Sequence, residues 1–259
     1  MGKLDGKVAI VTGAGQGVGR GIALALAKEG AFLSLPSRTA SKVEALKEEI
    51  EAFGGAAIAF GCDVGEKEQV IHAVKKTVEV YGTVDILINN AQTTVPAHSL
   101  LDYTDEEVDR VFKSGYWASL WFMKECYPYL KEQNGCVINF ASAIGLNSVP
   151  GYLAYASTKE AIRSLSRIAA KEWGRDGIRV NVIVPGAESP GNTQAIIDLA
   201  KWSESSGIKA SFGTPAIPRK GRPEEDIGRV AVFLCSEDAS FLSGYTYCVD
   251  GGYCIDASR

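Results

Sequence analysis

Three side chains near the middle of the sequence have the types that proton transfer requires. Tyr155 and Lys159 stand four residues apart in a segment with helical periodicity, so their side chains share one face. A phenol titrates at about 10 and is a poor base at neutral pH. A neighbouring ammonium stabilises the phenolate and brings it into use as an acid or base. Ser142 lies thirteen residues before Tyr155, just after a strand-like run, Cys136–Phe140. The C-terminal ends of strands are where α/β sheets carry their ligands, so the Ser142 hydroxyl is placed to hydrogen-bond a substrate oxygen. Each residue alone would be ordinary, a surface helix pair and a turn serine. The three together describe a site that moves a proton to or from an alkoxide.

A second signal stands at the other end of the chain. Thr12-Gly13-Ala14-Gly15-Gln16-Gly17-Val18-Gly19 separates a first strand, Val8–Thr12, from a helix, Gly17–Gly30. Glycines let backbone turn tightly against a diphosphate, and the following helix start offers free N–H groups and a positive dipole end. Gly13, Gln16, Gly17, Val18 and Gly19 are therefore read as dinucleotide-binding positions.

These residues need a scaffold, and the pattern supplies one. Strands are expected at Phe32–Leu35, Ala56–Phe60, Asp85–Asn89, Cys136–Phe140, Val180–Val184 and Tyr245–Val249. Helices are expected at Ser41–Phe53, Glu66–Tyr81, Thr104 to Lys131, Ala154–Trp173 and Glu224–Cys235. Strand–helix alternation at this spacing predicts an α/β fold of Rossmann type, a doubly wound, seven-stranded parallel sheet in a three-layer α/β/α arrangement. No linker or repeat divides the chain, which reads as a single domain over residues 1–259. The irregular stretch from Pro185 to Arg222 is read as carrying a substrate lid, around residues 187–216.

The glycine spacing, TGxxxGxG, is similar to that of the short-chain dehydrogenase/reductase family. The resemblance extends through Cys62-Asp63-Val64, Asn89-Asn90-Ala91, Ser142, Tyr155 to Lys159, Asn181 to Pro185-Gly186, and Val249-Asp250-Gly251-Gly252. It implies an oxidoreductase that passes a hydride between a nicotinamide dinucleotide and a small carbonyl or alcohol substrate, with Ser142, Tyr155 and Lys159 catalytic. It implies that Lys159 also holds the nicotinamide ribose, that Asp63 receives the adenine amino group with Val64 beside it, and that Asn90, Ala91, Pro185, Gly186 and Glu188 line the cofactor. It further implies a homodimer or homotetramer.

The end of the second strand selects the cofactor. An acidic residue there binds both ribose hydroxyls and repels a 2′-phosphate, whereas arginine accepts that phosphate. The chain reads Leu35-Pro36-Ser37-Arg38, so NADP is expected, bound by Ser37 and Arg38, with NAD the alternative. Pro36 is expected to tilt this loop.

The chain departs from the family in three places. Gly115 stands where relatives carry a helix-bending asparagine that holds a relay water, and is expected to leave room for another water. Gln92 replaces a glycine and is expected to reach the cofactor or narrow the substrate entrance. Glu188 is expected to use its backbone only, its carboxylate turned to solvent. Tyr152, seven residues before Lys159, mimics the spacing of enoyl reductases; the glycine pattern and Ser142 favour Tyr155 as the acid and leave Tyr152 as a substrate wall. Trp202 is a further candidate substrate contact, and His98 is expected on an exposed loop. Two readings stay open beside the leading one, a dinucleotide-binding sensor with weak chemistry and an enoyl reductase.

Composition excludes other classes. Net charge is −4 with no basic block, so neither nucleic acid nor an anionic membrane is an expected partner. Six cysteines without a CxxC pair, and two histidines, suggest free thiols and no metal site. No apolar run reaches membrane-spanning length, and a cytoplasmic location is expected.

Overall fold

Short β-branched runs take up the centre of the molecule because each is apolar on both faces. A computed structural model describes residues 2–254. Its strands are β1 (Val8–Val11), β2 (Phe32–Ser37), β3 (Ala56–Gly61), β4 (Ile86–Asn89), β5 (Cys136–Phe140), β6 (Arg179–Pro185) and β7 (Thr246–Val249). They form one seven-stranded sheet in the order β3-β2-β1-β4-β5-β6-β7. Every pairing is parallel. Chain order reverses between β1 and β4, which opens a crevice at their C-terminal ends.

The helices are α1 (Gly17–Lys28), α2 (Ala40–Ala52), α3 (Lys67–Tyr81), α4 (Asp105–Phe112), α5 (Ala118–Gln133), α6 (Ala143–Leu146), α7 (Leu153–Trp173), α8 (Pro190–Ser206) and α9 (Arg229–Cys235). Ile22, Leu26, Val43, Ile50 and Leu234, from α1, α2 and α9, pack one sheet face. Val70, Val74, Phe122, Leu130 and Ala169, from α3, α5 and α7, pack the other. Each fully buried Ile, Leu or Phe contributes roughly 1.5–3 kcal/mol of transfer free energy, so the two layers fix the sheet on which the site rests. No helix among the described residues is long and apolar enough to cross a membrane.

A polar tie crosses this core at the crevice. Asn139 on β5 is fully buried. Its Oδ1 accepts from Asn89 Nδ2 at 2.8 Å, and its Nδ2 donates to Ser166 Oγ on α7 at 2.8 Å. Asn139→Ala strands the buried Asn89 amide and opens a cavity. It is expected to cost about 2 kcal/mol in urea unfolding; a loss within 0.5 kcal/mol, roughly the scatter of surface substitutions, would show that the tie contributes nothing.

Four elements differ from the sequence expectation, one of them the helix expected over Glu224–Cys235, which opens as a π-helical segment, Pro223–Gly228, before α9. The long helix from Thr104 to Lys131 is broken: α4 and α5 are joined by a π-helical turn, Lys113–Trp117. Its start is as expected, a capping box between Thr104 and Glu107. Strand β2 runs straight through Pro36, which pairs with Phe60 and accepts the Gly13 N–H at 3.0 Å, so the proline tilts nothing. The stretch from Pro185 to Arg222 is not irregular throughout, because α8 occupies much of it.

Candidate active site

The crevice at the β1–β4 switch is a cleft of about 620 Å³. Its floor is tied together by Thr12. The Thr12 hydroxyl accepts from the N–H groups of Asn90 and Ala91, both at 3.0 Å, and Asn90 Nδ2 donates back to Thr12 O at 2.9 Å. The glycine turn is thereby fixed to the end of β4. Gly19 lets α1 approach this closely, since a Cβ there would lie 2.4 Å from Asn90 Nδ2. Gln16, at the start of α1, supplies no side-chain cap. The first N–H groups of the helix are left for an anion, with Gly13, Gly15, Gln16, Gly17 and Val18 lining the cleft beside them.

Ser37, Arg38, Thr39 and Lys42 line the same cleft at the end of β2 and the start of α2. Arg38 is exposed. Lys42 Nζ donates to Gln16 Oε1 at 2.5 Å and so leans over the glycine turn. Sequence reading missed Lys42, although it stands one helical turn beyond Arg38. Asp63 lines the cleft with one oxygen engaged locally, its Oδ1 accepting from Gly65 N at 2.9 Å. An uncapped helix start, a closely packed glycine turn and a paired Arg and Lys fit the anionic diphosphate and phosphate of a nicotinamide dinucleotide.

Ser142, Tyr155 and Lys159 meet on the opposite wall. Ser142 caps α6, its Oγ accepting from Ile144 N at 3.2 Å, and it lines the cleft with Tyr155. Lys159 is buried, with Nζ donating to Phe140 O at 3.0 Å and lying 5.4 Å from the centre of the Tyr155 ring. Burial pushes the Tyr155 phenol above its ordinary value, and the Ser142 hydroxyl pulls it partly back. Burial also lowers Lys159 to about 7. Burial thus works against the depression of the phenol that a neighbouring ammonium favours, and it leaves Lys159 only partly protonated at neutral pH.

Most of the expected site residues line this one cleft, among them Val64, Pro185 and Gly186. Gly19, Glu188 and Trp202 do not. Gly19 sits beneath, under Asn90. The Glu188 N–H donates to Gly221 O at 2.9 Å, and its exposed carboxylate lies 3.8 Å from Lys220, so neither its backbone donor nor its carboxylate is turned to the cofactor positions. Trp202, on α8, is buried with Ala97, Val149, Tyr152 and Leu199, and Nε1 donates to Ser99 Oγ at 3.4 Å. It braces α8. Tyr152 lines the cleft, and its hydroxyl donates to Ala195 O on α8 at 2.8 Å. His98 is half-buried against Tyr103, 3.2 Å from Glu107, and not an exposed loop residue.

The two departures from the family pattern prove to be neighbours. A Cβ on Gly115 would lie 2.4 Å from Thr158 Cγ2 and 2.9 Å from both Cδ and Nε2 of Gln92. The space beside Gly115 is filled by these two side chains, which corrects the expectation of room for another water there. Gln92 is turned inward onto this π-helical turn, and not across the substrate entrance. Residues of α8, the segment after it and the C-terminal loop that sequence reading did not single out also line the cleft, among them Asn192, Ile196, Phe212 and Tyr253.

Comparisons with known proteins agree with this geometry. A family model described as enoyl-(acyl carrier protein) reductase matches residues 13–254. The chain is 43% identical to a 12alpha-hydroxysteroid dehydrogenase from a Clostridium species, over 97% of this chain and 98% of that protein. It is 30% identical to a 3-oxoacyl-[acyl-carrier-protein] reductase from Thermotoga maritima, over 98% of this chain and all of that one. A crystal structure of 3-ketoacyl-(acyl-carrier-protein) reductase from Brucella melitensis complexed with NADH superposes with a TM-score of 0.85 at 30% identity, covering 96% of this chain and 99% of that one.

Proposed function

The chain belongs to the short-chain dehydrogenase/reductase family of oxidoreductases, and on that footing we propose that it is an NADP(H)-dependent dehydrogenase for a hydroxyl group on a rigid alicyclic skeleton of steroid size. The convergence of Ser142, Tyr155 and Lys159 on one wall of the cleft carries the reading. Gly13, Gln16, Gly17 and Val18 hold the diphosphate, Arg38, Ser37 and Lys42 the 2′-phosphate, Asp63 and Val64 the adenine, and Lys159 the nicotinamide ribose. When bound, the dinucleotide accepts or supplies the hydride. The Ser142 hydroxyl fixes the substrate oxygen, Tyr155 takes the hydroxyl proton in oxidation or returns it in reduction, and Lys159 exchanges protons with Tyr155. Residues 187–216 act as the lid, with α8 anchored by Tyr152 and Trp202.

The substrate class is supported by the hydroxysteroid dehydrogenase likeness and by the apolar walls of the cleft, Ile144, Tyr152, Ile196 and Phe212. A second reading, reduction of an enoyl thioester, is favoured by the description of the matching family model and by the Tyr152 spacing. What weighs against it is that the Tyr152 hydroxyl is already engaged on Ala195.

The two readings separate in one assay. Hydroxysteroids with NADP⁺, and the matching ketones with NADPH, are compared with β-ketoacyl and enoyl thioesters. The hydroxysteroid–ketone pair is expected to give at least about a tenfold higher kcat/KM, the size of discrimination an apolar pocket supplies. Saturation of the conjugated thioester without any alcohol oxidation would establish the enoyl reading instead, and cofactor binding without turnover of any of these would leave a sensor or a substrate outside these classes.

A further inference from the structure

Among the described residues, four cations line the cleft, Arg38, Lys42, Lys159 and Lys220. Three of them have a place in it already. Arg38 and Lys42 stand by the end of β2, and Lys159 is buried on the wall of Tyr155. Lys220 is left, and its neighbours place it. The Gly221 N–H donates to Gly186 O at 3.0 Å, and Gly221 O accepts from Glu188 N at 2.9 Å, which zips this segment to the end of β6. Two residues further on, Pro223 rests on α1: a Cβ on Gly21 would lie 2.3 Å from the Pro223 carbonyl carbon. Lys220 Nζ lies 3.8 Å from Glu188 Oε1. The residue after Glu188 is Ser189, which rests on the glycine turn: a Cβ on Gly17 would lie 2.8 Å from Ser189 Cβ. Lys220 thus stands between two segments that both touch the start of α1, where free N–H groups await an anion. The start of α8 offers few donors of its own. Pro190 has no N–H, and those of Asn192 and Thr193 are taken by Ser189 Oγ and O, both at 3.0 Å.

We propose that Lys220 binds the diphosphate of the cofactor, its ammonium leaving the Glu188 carboxylate to neutralise the anion that the N–H groups of α1 hold. Glu188 is then the counter-charge that occupies Lys220 when no dinucleotide is bound. The exchange favours the diphosphate. Both side chains of the Glu188–Lys220 pair are more than half exposed, and such a pair contributes little. A diphosphate carries two charges, and an ammonium on a flexible stem can follow it as a point charge. The inference rests on the cleft being a nicotinamide dinucleotide site. Within that reading it assigns Lys220 a task different from that of Arg38. The diphosphate is common to NADP(H) and NAD(H), so Lys220 serves both alike, whereas Arg38 tells them apart.

The test titrates NADPH and NADH, followed by fluorescence, against the parent, Lys220→Met, Lys220→Arg and Glu188→Gln. Lys220→Met keeps the stem and removes the charge. It is expected to raise both dissociation constants about tenfold, the lower end for a hydrogen bond between charged groups, and to leave their ratio at the parental value. Lys220→Arg keeps the charge and is expected to stay within about threefold of the parent. Glu188→Gln removes the competing carboxylate and is expected to tighten both cofactors about twofold. Added salt is expected to weaken NADH binding less in Lys220→Met than in the parent, because the charge it screens is gone. Tm is expected to stay unchanged, since the Lys220 side chain is exposed. A loss confined to NADPH would overturn the proposal by placing Lys220 with Arg38 at the 2′-phosphate. Parental constants for both cofactors, with KM raised only for alcohols that bear a carboxylate, would overturn it by making Lys220 a substrate contact. Parental values throughout would overturn it too, leaving Lys220 a solvated lysine. The two claims separate in the parent itself: if it binds neither dinucleotide, the cofactor reading fails and takes the proposal with it, whereas a parent and a Lys220→Met variant that bind both equally well sink the proposal alone.

Discussion

Tyr155→Phe is expected to lower kcat/KM for alcohol oxidation by about a thousandfold, with NADPH affinity and Tm close to those of the parent. Phenylalanine keeps the ring, which packs against the cluster of Ala97, Val149, Tyr152, Leu199 and Trp202 and against that of Val95, Val111 and Ala154. It removes only the hydroxyl, whose ionisation the Ser142 side chain favours. The change therefore isolates the proton from the packing. What remains is orientation by Ser142 and the rest of the cleft, which holds a substrate without serving its oxygen.

The pH dependence follows from the same two groups. Oxidation needs the phenol deprotonated, so its rate rises with pH through the apparent pKa of the Tyr155–Lys159 pair. Reduction needs it protonated and falls over the same span. Burial raises Tyr155 and brings Lys159 down to about 7; with Lys159 Nζ 5.4 Å from the centre of the phenol ring, the observed value is expected to belong to the pair. Oxidation in the parent is expected to be fastest on the alkaline side and reduction at neutral pH or below. In Tyr155→Phe the residual rate is expected to lose this slope. Steady-state rates in both directions across neutral and alkaline pH provide the measurement, and a residual oxidation rate that keeps the parental slope would move the acid to another group, with Tyr152 next in line.

How much of this could be read from residue order depends on the distance over which each feature is decided. The acid–base pair is local: i, i+4 spacing puts Tyr155 and Lys159 on one face of α7. The glycine turn is local too, and strand order follows from alternation and handedness. Helix α8 was also locally encoded. Ser189 caps it, accepting from Asn192 N at 3.0 Å, Pro190 occupies its first turn, and Gly207 closes it with φ of +72°. Its mixed polar and apolar face hid it among prolines and glycines, and Trp202 was misjudged because its direction depends on the phase of that helix. Glu188 was half legible: exposure of its carboxylate follows from its charge, whereas the capture of its N–H by Gly221 depends on a segment more than thirty residues away.

Gln92 was beyond local reading altogether. Its side chain turns inward because position 115, on another element, has no side chain. Two departures that look like independent defects in sequence are complementary in space. The same applies to pKa. A neighbouring lysine suggests a depressed phenol, but how far both groups are buried is a property of the packed sheet and the helix that covers them, and burial acts on the two in opposite directions.

Cofactor choice is where charge alone is expected to have a large effect. Arg38→Asp is expected to lower kcat/KM with NADPH by about a hundredfold or more, and to leave that with NADH unchanged or somewhat raised. A charge-assisted hydrogen bond to phosphate is lost and a carboxylate takes its place, so attraction becomes repulsion at one position. The same carboxylate can accept from the two ribose hydroxyls, which is why NADH is spared. Lys42→Ala removes the second cation of this corner but leaves Arg38, so its expected loss with NADPH is smaller, about fivefold, with no gain for NADH. Because Arg38 is exposed, its contribution is open to screening. Raising the salt concentration is therefore expected to raise KM for NADPH in the parent much more than in Arg38→Asp. The two cofactors titrated against both variants at low and high ionic strength give the answer. If Arg38→Asp leaves the NADPH to NADH ratio where it was, the phosphate is held elsewhere along the cleft and the chain's preference does not reside at the end of β2.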